Sequence, residues 1–117
     1  MEEQLVMTRW ETYEQQWRTL LAATTPVTFH DIPWPIESAP TDVRQLTPAA
    51  ISTFIFAPLR VRRNQVTQRE RIRASLLRWH PDKLASVLRR VVENDREIVQ
   101  EGVGAVFRCL NALQQEK

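Results

Sequence analysis

The sequence has little glycine, one cysteine and no long apolar run, and each shortage excludes a class of protein. Only two of its 117 residues are glycine, which disfavours β-sandwiches, β-barrels and phosphate-cradling loops, because their tight turns need glycine. The single cysteine, Cys109, forms neither an intramolecular disulfide nor a cysteine-rich zinc site. No apolar run approaches the roughly 18 residues of a membrane span, and the N-terminus lacks a signal-peptide pattern. We therefore expect a soluble intracellular protein.

The chain is apolar enough to fold in spite of these shortages. Apolar residues make up 43% of it, which is ordinary for a globular protein and above the range of disordered chains. A chain of this length buries one modest core, so we expect one domain, or one small domain with an extension.

The small net charge of +2 conceals an uneven distribution of charged residues. Residues 1–59 carry three basic and seven acidic side chains, whereas residues 60–83 carry eight basic and two acidic ones. Residues 84–117 carry five of each. A positive field concentrated in one short segment attracts an acidic partner surface or a nucleic acid.

The first predicted element is an amphipathic helix over residues 1–23. Trp10, Tyr13 and Trp17 follow one another at three- and four-residue steps, which places them on one face of a helix. Two roles are open for this face. It packs internally, which we favour, or it forms a second partner-binding interface together with Trp34, since exposed aromatic stripes mark interfaces.

Residues 24–46 are predicted to form a proline-rich strap. The stretch holds four prolines, which exclude an α-helix and a central strand. Its apolar residues alternate with polar residues or prolines, so it is too apolar for a free linker. We expect it to lie extended across a helical surface, with Trp34 as its anchor between Pro33 and Pro35.

Residues 47–117 carry the signals of a helical domain with four further helical segments. Thr47 is a candidate N-cap with Pro48 at the first helical position, and Thr67 followed by Glu70 is a capping-box pattern. Two glycines in the last segment, Gly102 and Gly104, each lower its helix propensity by about 1 kcal/mol relative to alanine. We attribute their presence to the close approach of a neighbouring helix. The predicted fold class is all-α.

The stretch RWHPDK, residues 78–83, ends the basic segment and raises the question of chemistry. His80 and Asp82 are separated by one proline in a turn, so they do not readily act as a base and its orienting partner. A metal site needs three or four ligands at suitable spacing, and Cys109 lies in an apolar stripe typical of a core. We expect no enzyme activity, no metal and no cofactor. A helix stop needs only Pro81, which leaves His80 and Asp82 as candidate recognition residues.

A basic amphipathic helix that ends in aromatic-His-Pro-Asp-Lys resembles the J domain. The matching residues are Ile72, Arg73, Leu77, Arg78, Trp79, His80, Pro81, Asp82 and Lys83. The resemblance spans about residues 47–115. It implies an antiparallel helical hairpin whose His-Pro-Asp turn docks on an Hsp70-type chaperone and stimulates its ATP hydrolysis. The sequence departs from the family at Ser75, where leucine is usual, and in the longer connection LASVLRRVVEN before the last helix.

The same resemblance implies a role for each residue of the turn. His80 and Asp82 make the directional contacts with the partner, and Pro81 fixes the turn. The positive side chains that steer the acidic partner are Arg69, Arg73, Arg78 and Lys83.

A wider resemblance covers about residues 13–113. The strap motif FHDIPWP, the RWHPDK turn and the terminal stretch GAVFRCLNAL look like the C-terminal region of NF-kappa-B inhibitor-like proteins. That family is nuclear and is linked to NF-kappa-B regulation and to pre-mRNA splicing factors, and its ankyrin repeats are absent here. The resemblance implies an adaptor in the nucleus or the cytoplasm.

Two alternatives to chaperone docking remain open at this point. A non-chaperone scaffold would use the same surface without any effect on ATP hydrolysis. An RNA-binding module would use residues 60–78, because a basic helix can line a phosphate backbone. Its affinity would fall steeply with salt and would depend on Arg60, Arg62 and Arg63. We expect a J-domain-like protein-interaction module with a chaperone or nuclear protein partner and no membrane.

Overall fold

A computed structural model describes residues 2–116 of the chain, and they form an all-α fold. Within these residues the α-helices are α1 (Glu2–Ala22), α2 (Pro48–Phe56), α3 (Gln68–Trp79), α4 (Pro81–Leu88) and α5 (Arg96–Gln115). Short 3₁₀ turns cover Phe29–Asp31, Val43–Gln45, Ala57–Arg60 and Glu93–Asp95. The fold class and the five helical segments predicted from the sequence are confirmed. None of the helices described is long and apolar enough to cross a membrane.

The starts of the helices follow from local sequence chemistry. The Thr47 hydroxyl accepts a hydrogen bond from the Ala50 N–H at 3.1 Å, which caps α2. The Thr67 hydroxyl accepts from the Glu70 N–H at 3.1 Å, and the Glu70 carboxylate accepts from the Thr67 N–H at 2.9 Å, which completes the capping box of α3. α3 ends because the residue before Pro81 adopts extended backbone geometry.

Trp79, the last residue of α3, lies at the centre of the core and is inaccessible to solvent. Its ring stacks on that of Trp34 in the strap, with centroids 5.4 Å apart, and meets that of Trp17 in α1 edge-to-face at 5.1 Å. Its indole N–H donates to the Tyr13 hydroxyl at 3.1 Å. One side chain therefore joins α1, the strap and α3.

The helices of the C-terminal part pack around α3. This helix makes its most extensive contact with α5, and it also contacts α2 and α4. The buried residues of α5 are Val99, Gly102, Val103, Val106, Cys109 and Leu110. The packing is that of a helical domain, and the antiparallel hairpin of the J domain stays a prediction.

The strap, residues 24–46, is anchored along its length. Val27 forms a single parallel β-bridge with the segment after α4. The Phe29 N–H donates to the Asp95 carboxylate at 2.8 Å, and the Trp34 indole N–H donates to the Phe29 carbonyl at 2.9 Å. The strap thus lies across the helices with Trp34 buried, as predicted, although two 3₁₀ turns interrupt its extended course.

One core joins the three predicted segments, residues 1–23, 24–46 and 47–117. The cluster of buried apolar side chains includes residues from α1, from the strap and from α2 to α5. The N-terminal helix and the strap are therefore parts of the same hydrophobic core as the C-terminal helices.

Gly102 of α5 lies against the strap and not against a neighbouring helix, so the predicted reason for this glycine was wrong. A Cβ at this position would stand 2.7 Å from Cη2 of Trp34 and 3.2 Å from Cδ1 of Leu46. A Cβ at Gly104 would instead meet the Arg108 guanidinium at 3.1 Å, the far end of a flexible side chain. Glycine is therefore required at position 102 and not at position 104.

The two glycines provide a matched pair of stability measurements. We expect Gly102→Ala to lower the free energy of unfolding by about 1–3 kcal/mol, because the added methyl overpacks the Trp34 ring. We expect Gly104→Ala to raise it by about 0.5–1 kcal/mol through helix propensity. Urea denaturation of both variants measures the difference. Equal stabilisation by the two substitutions would contradict the contact between Trp34 and α5.

Candidate partner-docking site

His80, Pro81 and Asp82, the HPD turn, form the junction between α3 and α4. His80 is both the C-cap of α3 and the N-cap of α4, with extended backbone angles of φ −68° and ψ 131°. Pro81 takes the first position of α4, where its fixed φ and missing N–H are favourable. Nδ1 of His80 accepts a hydrogen bond from the Asp82 N–H at 3.2 Å. The turn is thus held in one conformation by its own residues.

The side chains of the HPD turn are exposed to solvent. Those of His80 and Asp82 are 47% and 93% exposed, and Lys83 beside them is exposed as well. Nδ1 of His80 lies 3.9 Å from Oδ2 of Asp82, which is beyond hydrogen-bond distance. Because Nδ1 accepts from the backbone, the neutral ring carries its proton on Nε2. The turn therefore offers a partner one N–H donor and one carboxylate acceptor, side by side.

The core supports the HPD turn from below. Trp79 fixes the end of α3, and the His80 ring meets the Phe107 ring of α5 edge-to-face, with centroids 5.5 Å apart. These contacts orient the imidazole before any partner arrives. An oriented side chain loses little rotamer freedom when it binds.

Arg69 and Arg73 lie on the exposed side of α3, as predicted for steering residues. Both are exposed, and four residues separate them, so they stand about one helical turn apart on one face. Neither forms an ion pair with any residue of the described part of the chain. Their positive charges are available to an acidic partner.

Arg78, predicted to steer a partner, is partly buried and paired within the chain, and its role toward a partner stays a prediction. Its guanidinium forms an ion pair with Glu14 of α1 at 2.7 Å, and the two side chains are only 26% and 27% exposed. It also lies over the Tyr13 and Trp17 rings, 5.5 and 5.6 Å from their centroids. The helix period places residue 78 on the side of α3 that packs against α1. The residues near Arg78 in the sequence do not indicate this contact, because α1 comes from a distant part of the chain.

Arg71 is a buried charge that the sequence analysis missed. Its guanidinium donates to the Ile55 carbonyl at 3.3 Å and lies 3.9 Å from the centroid of the Trp10 ring. Burial lowers the pKa of Arg71, yet an arginine stays protonated in a protein. The sequence holds a weak indication of this burial, because Arg71 and the buried Ser75 lie one helical turn apart beside the apolar face of α3.

The aromatic residues of α1 and the strap pack internally, the role that the sequence analysis favoured, and a second interface at these residues stays a prediction. Tyr13, Trp17 and Trp34 are buried in the core. Trp10 is partly buried, and its ring lies 5.0 Å from that of Tyr13 and 5.6 Å from that of Phe54. Side chains of this size contribute most when they are buried.

The other chemically reactive residues are dispersed. Within residues 2–116, no group of three or more His, Cys, Asp and Glu side chains is placed to hold a metal ion. Cys109 is buried in α5, with its sulfur 3.9 Å from the Pro48 carbonyl oxygen. Burial raises the pKa of the Cys109 thiol, so at neutral pH it is protonated and weakly nucleophilic.

An open cleft of about 1090 Å³ runs between α1 and the strap. Its lining carries charges of both signs, among them Arg9 and Glu37, which form an exposed ion pair at 3.4 Å. No residue of the HPD turn lines this cleft. The cleft and the turn are therefore separate features of the surface.

No protein-family model, curated protein or solved structure matches this chain. The resemblance to J domains and to NF-kappa-B inhibitor-like proteins rests on the residues quoted above and stays a prediction. The all-α class stands apart from it, because it is observed directly in the helices.

The stability of the core beneath the HPD turn depends on pH through the Tyr13 hydroxyl. Burial raises the pKa of Tyr13 above its ordinary value of 10.0, and the nearby Arg78 opposes the rise. A raised pKa favours the protonated folded state, so this contribution to stability is complete below pH 10 and is lost as the pH rises above it. Tyr13→Phe also leaves the Trp79 N–H without its acceptor.

We expect Tyr13→Phe to lose about 1–3 kcal/mol of stability at neutral pH, because a buried donor becomes unpaired. The variant should then lose less stability than the wild type as the pH rises above 10. Urea denaturation at neutral pH and at a pH above 10 measures both differences in stability. Tyr13 is the only tyrosine, so tyrosinate absorbance reports it alone, and titration at the ordinary pKa in the folded protein would contradict its burial.

Proposed function

We propose that this chain is a protein-interaction module of the J-domain type, which docks its HPD turn on a partner with an acidic surface. The partner class implied by the resemblance is an Hsp70-type chaperone, whose ATP hydrolysis the docked turn stimulates. One observation carries the proposal: His80 and Asp82 are exposed together at a junction whose conformation the core fixes.

Preorganisation is the physical reason for docking through this turn. Pro81 fixes the backbone, the Asp82 N–H fixes Nδ1 of His80, and Phe107 supports the ring. Binding then costs little conformational entropy. Nε2–H of His80 meets an acceptor of the partner, and the Asp82 carboxylate meets a cationic donor, which makes the contact directional.

The charges around the turn add steering to this contact. Lys83 is exposed beside the turn, and Arg73 and Arg69 are exposed two and three helical turns before it on α3, so their positive charges form a field along this helix. Such a field raises the rate of association with an acidic surface and acts mainly on that rate. Arg78 contributes less, because Glu14 neutralises it.

The same surface serves the adaptor version of the proposal. A nuclear or cytoplasmic partner, of the kind linked to NF-kappa-B regulation or pre-mRNA splicing in the second resemblance, would bind the HPD turn without ATP hydrolysis. In both versions the chain catalyses no reaction itself. Chaperone assays separate the two versions.

The first test is single-turnover ATP hydrolysis by an Hsp70-type chaperone. We expect the wild type to accelerate hydrolysis, and we expect His80→Gln and Asp82→Asn to return the rate to the basal value, because each removes one of the directional contacts. Arg44→Gln is the control, since Arg44 is exposed on the strap and its ion pair within residues 2–116 is with its neighbour Asp42.

Stimulation that survives both substitutions in the HPD turn would overturn docking through this turn. No stimulation by the folded wild type would overturn the chaperone version. Affinity capture with wild type and Asp82→Asn would then test the adaptor version, which requires a partner that the variant fails to retain.

A second test compares two arginines of α3. We expect Arg73→Gln to slow association with the partner about 2–5-fold at low salt, because it removes an exposed steering charge. We expect Arg78→Gln to leave the association rate nearly unchanged. It should lower the free energy of unfolding by about 1–2 kcal/mol, because Glu14 loses its partly buried partner. Stopped-flow binding and urea denaturation measure the two effects, and a larger kinetic effect at Arg78 would contradict the division of the arginines.

A further inference from the structure

The segment from Arg60, the last residue of the turn Ala57–Arg60, to the start of α3 is an ordered loop. The Asn64 side-chain amide donates to the Leu59 carbonyl at 3.3 Å and to the Val66 carbonyl at 2.8 Å, and its oxygen accepts from the Val66 N–H at 3.2 Å. The Arg62 N–H lies 3.4 Å from the Glu3 carboxylate of α1. These bonds hold residues 60–66, the basic loop, in a defined shape.

Arg63 in the basic loop has a strained backbone. Its φ is 70°, in the left-handed region that favours glycine or asparagine, and no other non-glycine residue of the described chain has a positive φ. Strain of this kind persists where the surrounding structure enforces it, and it concentrates at functional sites. The Asn64 bridge supplies the enforcing contacts, and the strained residue carries a charge.

The basic loop carries three positive charges, and one carboxylate, that of Glu3, contacts its backbone. The side chains of Arg60, Arg62 and Arg63 belong to exposed residues. No carboxylate in residues 2–116 forms an ion pair with any of them. Three guanidinium groups within four residues repel one another, and an anionic partner removes this repulsion.

The chemistry of the loop favours phosphate groups. The planar guanidinium fork binds phosphate through two parallel hydrogen bonds. Protein interfaces take much of their binding energy from buried Trp, Tyr and Arg anchors, and single strands stack their bases on aromatic side chains. Here the tryptophans are already packed in or against the core. The arrangement fits regular phosphate backbones, as in a duplex.

We propose that the basic loop binds the phosphate backbone of a nucleic-acid duplex through Arg60, Arg62 and Arg63. The loop and the HPD turn lie at opposite ends of α3, which is 12 residues long, or about 18 Å at 1.5 Å per residue. The two surfaces use different side chains. The proposal is independent of chaperone docking, and either one can fail alone.

The test is fluorescence anisotropy with labelled duplex RNA and duplex DNA of the same sequence, and with the single strand. Three phosphate contacts give a slope of about −2.7 in log affinity against log salt, so affinity should fall roughly 40-fold from about 50 to 200 mM. We expect Arg60→Gln, Arg62→Gln and Arg63→Gln together to reduce the slope to near zero.

The control removes the same charge elsewhere. Arg18→Gln, Arg89→Gln and Arg108→Gln together alter three exposed arginines outside the loop and should leave most of the slope in place. Equal losses in the two triple variants would mean general charge attraction and would overturn the proposal. Preference for the single strand, or equal competition by polyglutamate, would overturn it too. The proposal is supported if the wild type and the control variant bind either duplex and the triple variant of the basic loop does not.

Arg63→Gly separates binding from folding. Glycine relieves the backbone strain, so the variant should be at least as stable as the wild type in urea while its duplex affinity falls several-fold. ATP hydrolysis by the chaperone should respond to it as to the wild type. An unchanged duplex affinity in this stable variant would remove Arg63 from the site and overturn the proposed role of its strain.

Discussion

Burial of the Trp79 indole is the constraint on which the rest of the structure depends. Its ring contacts Trp34 and Trp17, and its N–H needs the Tyr13 hydroxyl. Loss of such a side chain costs a core about 3–5 kcal/mol, a large part of the roughly 5–15 kcal/mol that stabilises a domain. α1, the strap and α3 are therefore bound to one another through one residue. Because His80 follows Trp79 directly in the chain, the same burial sets the position of the HPD turn.

The strap turns this local constraint into a single core. Its Trp34 ring fits over α5 only because Gly102 has no side chain, and its backbone is tied to the start of α5 by Asp95. Arg90, after α4, donates to the Leu20 carbonyl at 2.7 Å and to the Thr25 carbonyl at 2.9 Å, where α1 ends and the strap begins. The C-terminal helices thus hold both N-terminal elements, and the HPD turn belongs to a surface supported by the whole chain.

The arginines of α3 show how one helix divides the same residue type between stability and recognition. Arg71 lies buried against Trp10, and Arg78 is neutralised by Glu14, so these two fasten α1 to the helix. Arg69 and Arg73 remain in solvent. The basic residues of α3 therefore do not form one surface. Arg71 and Arg78 are an inner pair that packs against α1, and Arg69 and Arg73 are an outer pair that is exposed. The outer pair points to one proposed surface, and the strained basic loop before α3 provides a second.

The sequence by itself determined the helices, the helix stop at Pro81 and the absence of an α-helix from the strap, because these depend on neighbours in the chain. Thr47, Thr67 and Pro81 act within a few residues of themselves, and helical spacing marks the apolar faces. The tertiary structure alone decided which charged and aromatic side chains reach solvent. Helical periodicity gives the direction of a side chain, but the element that covers it comes from a distant part of the chain. For that reason the sequence left open whether His80 and Asp82 reach solvent, and the burial of Arg71 and the pairing of Arg78 were decided by the packing of α1.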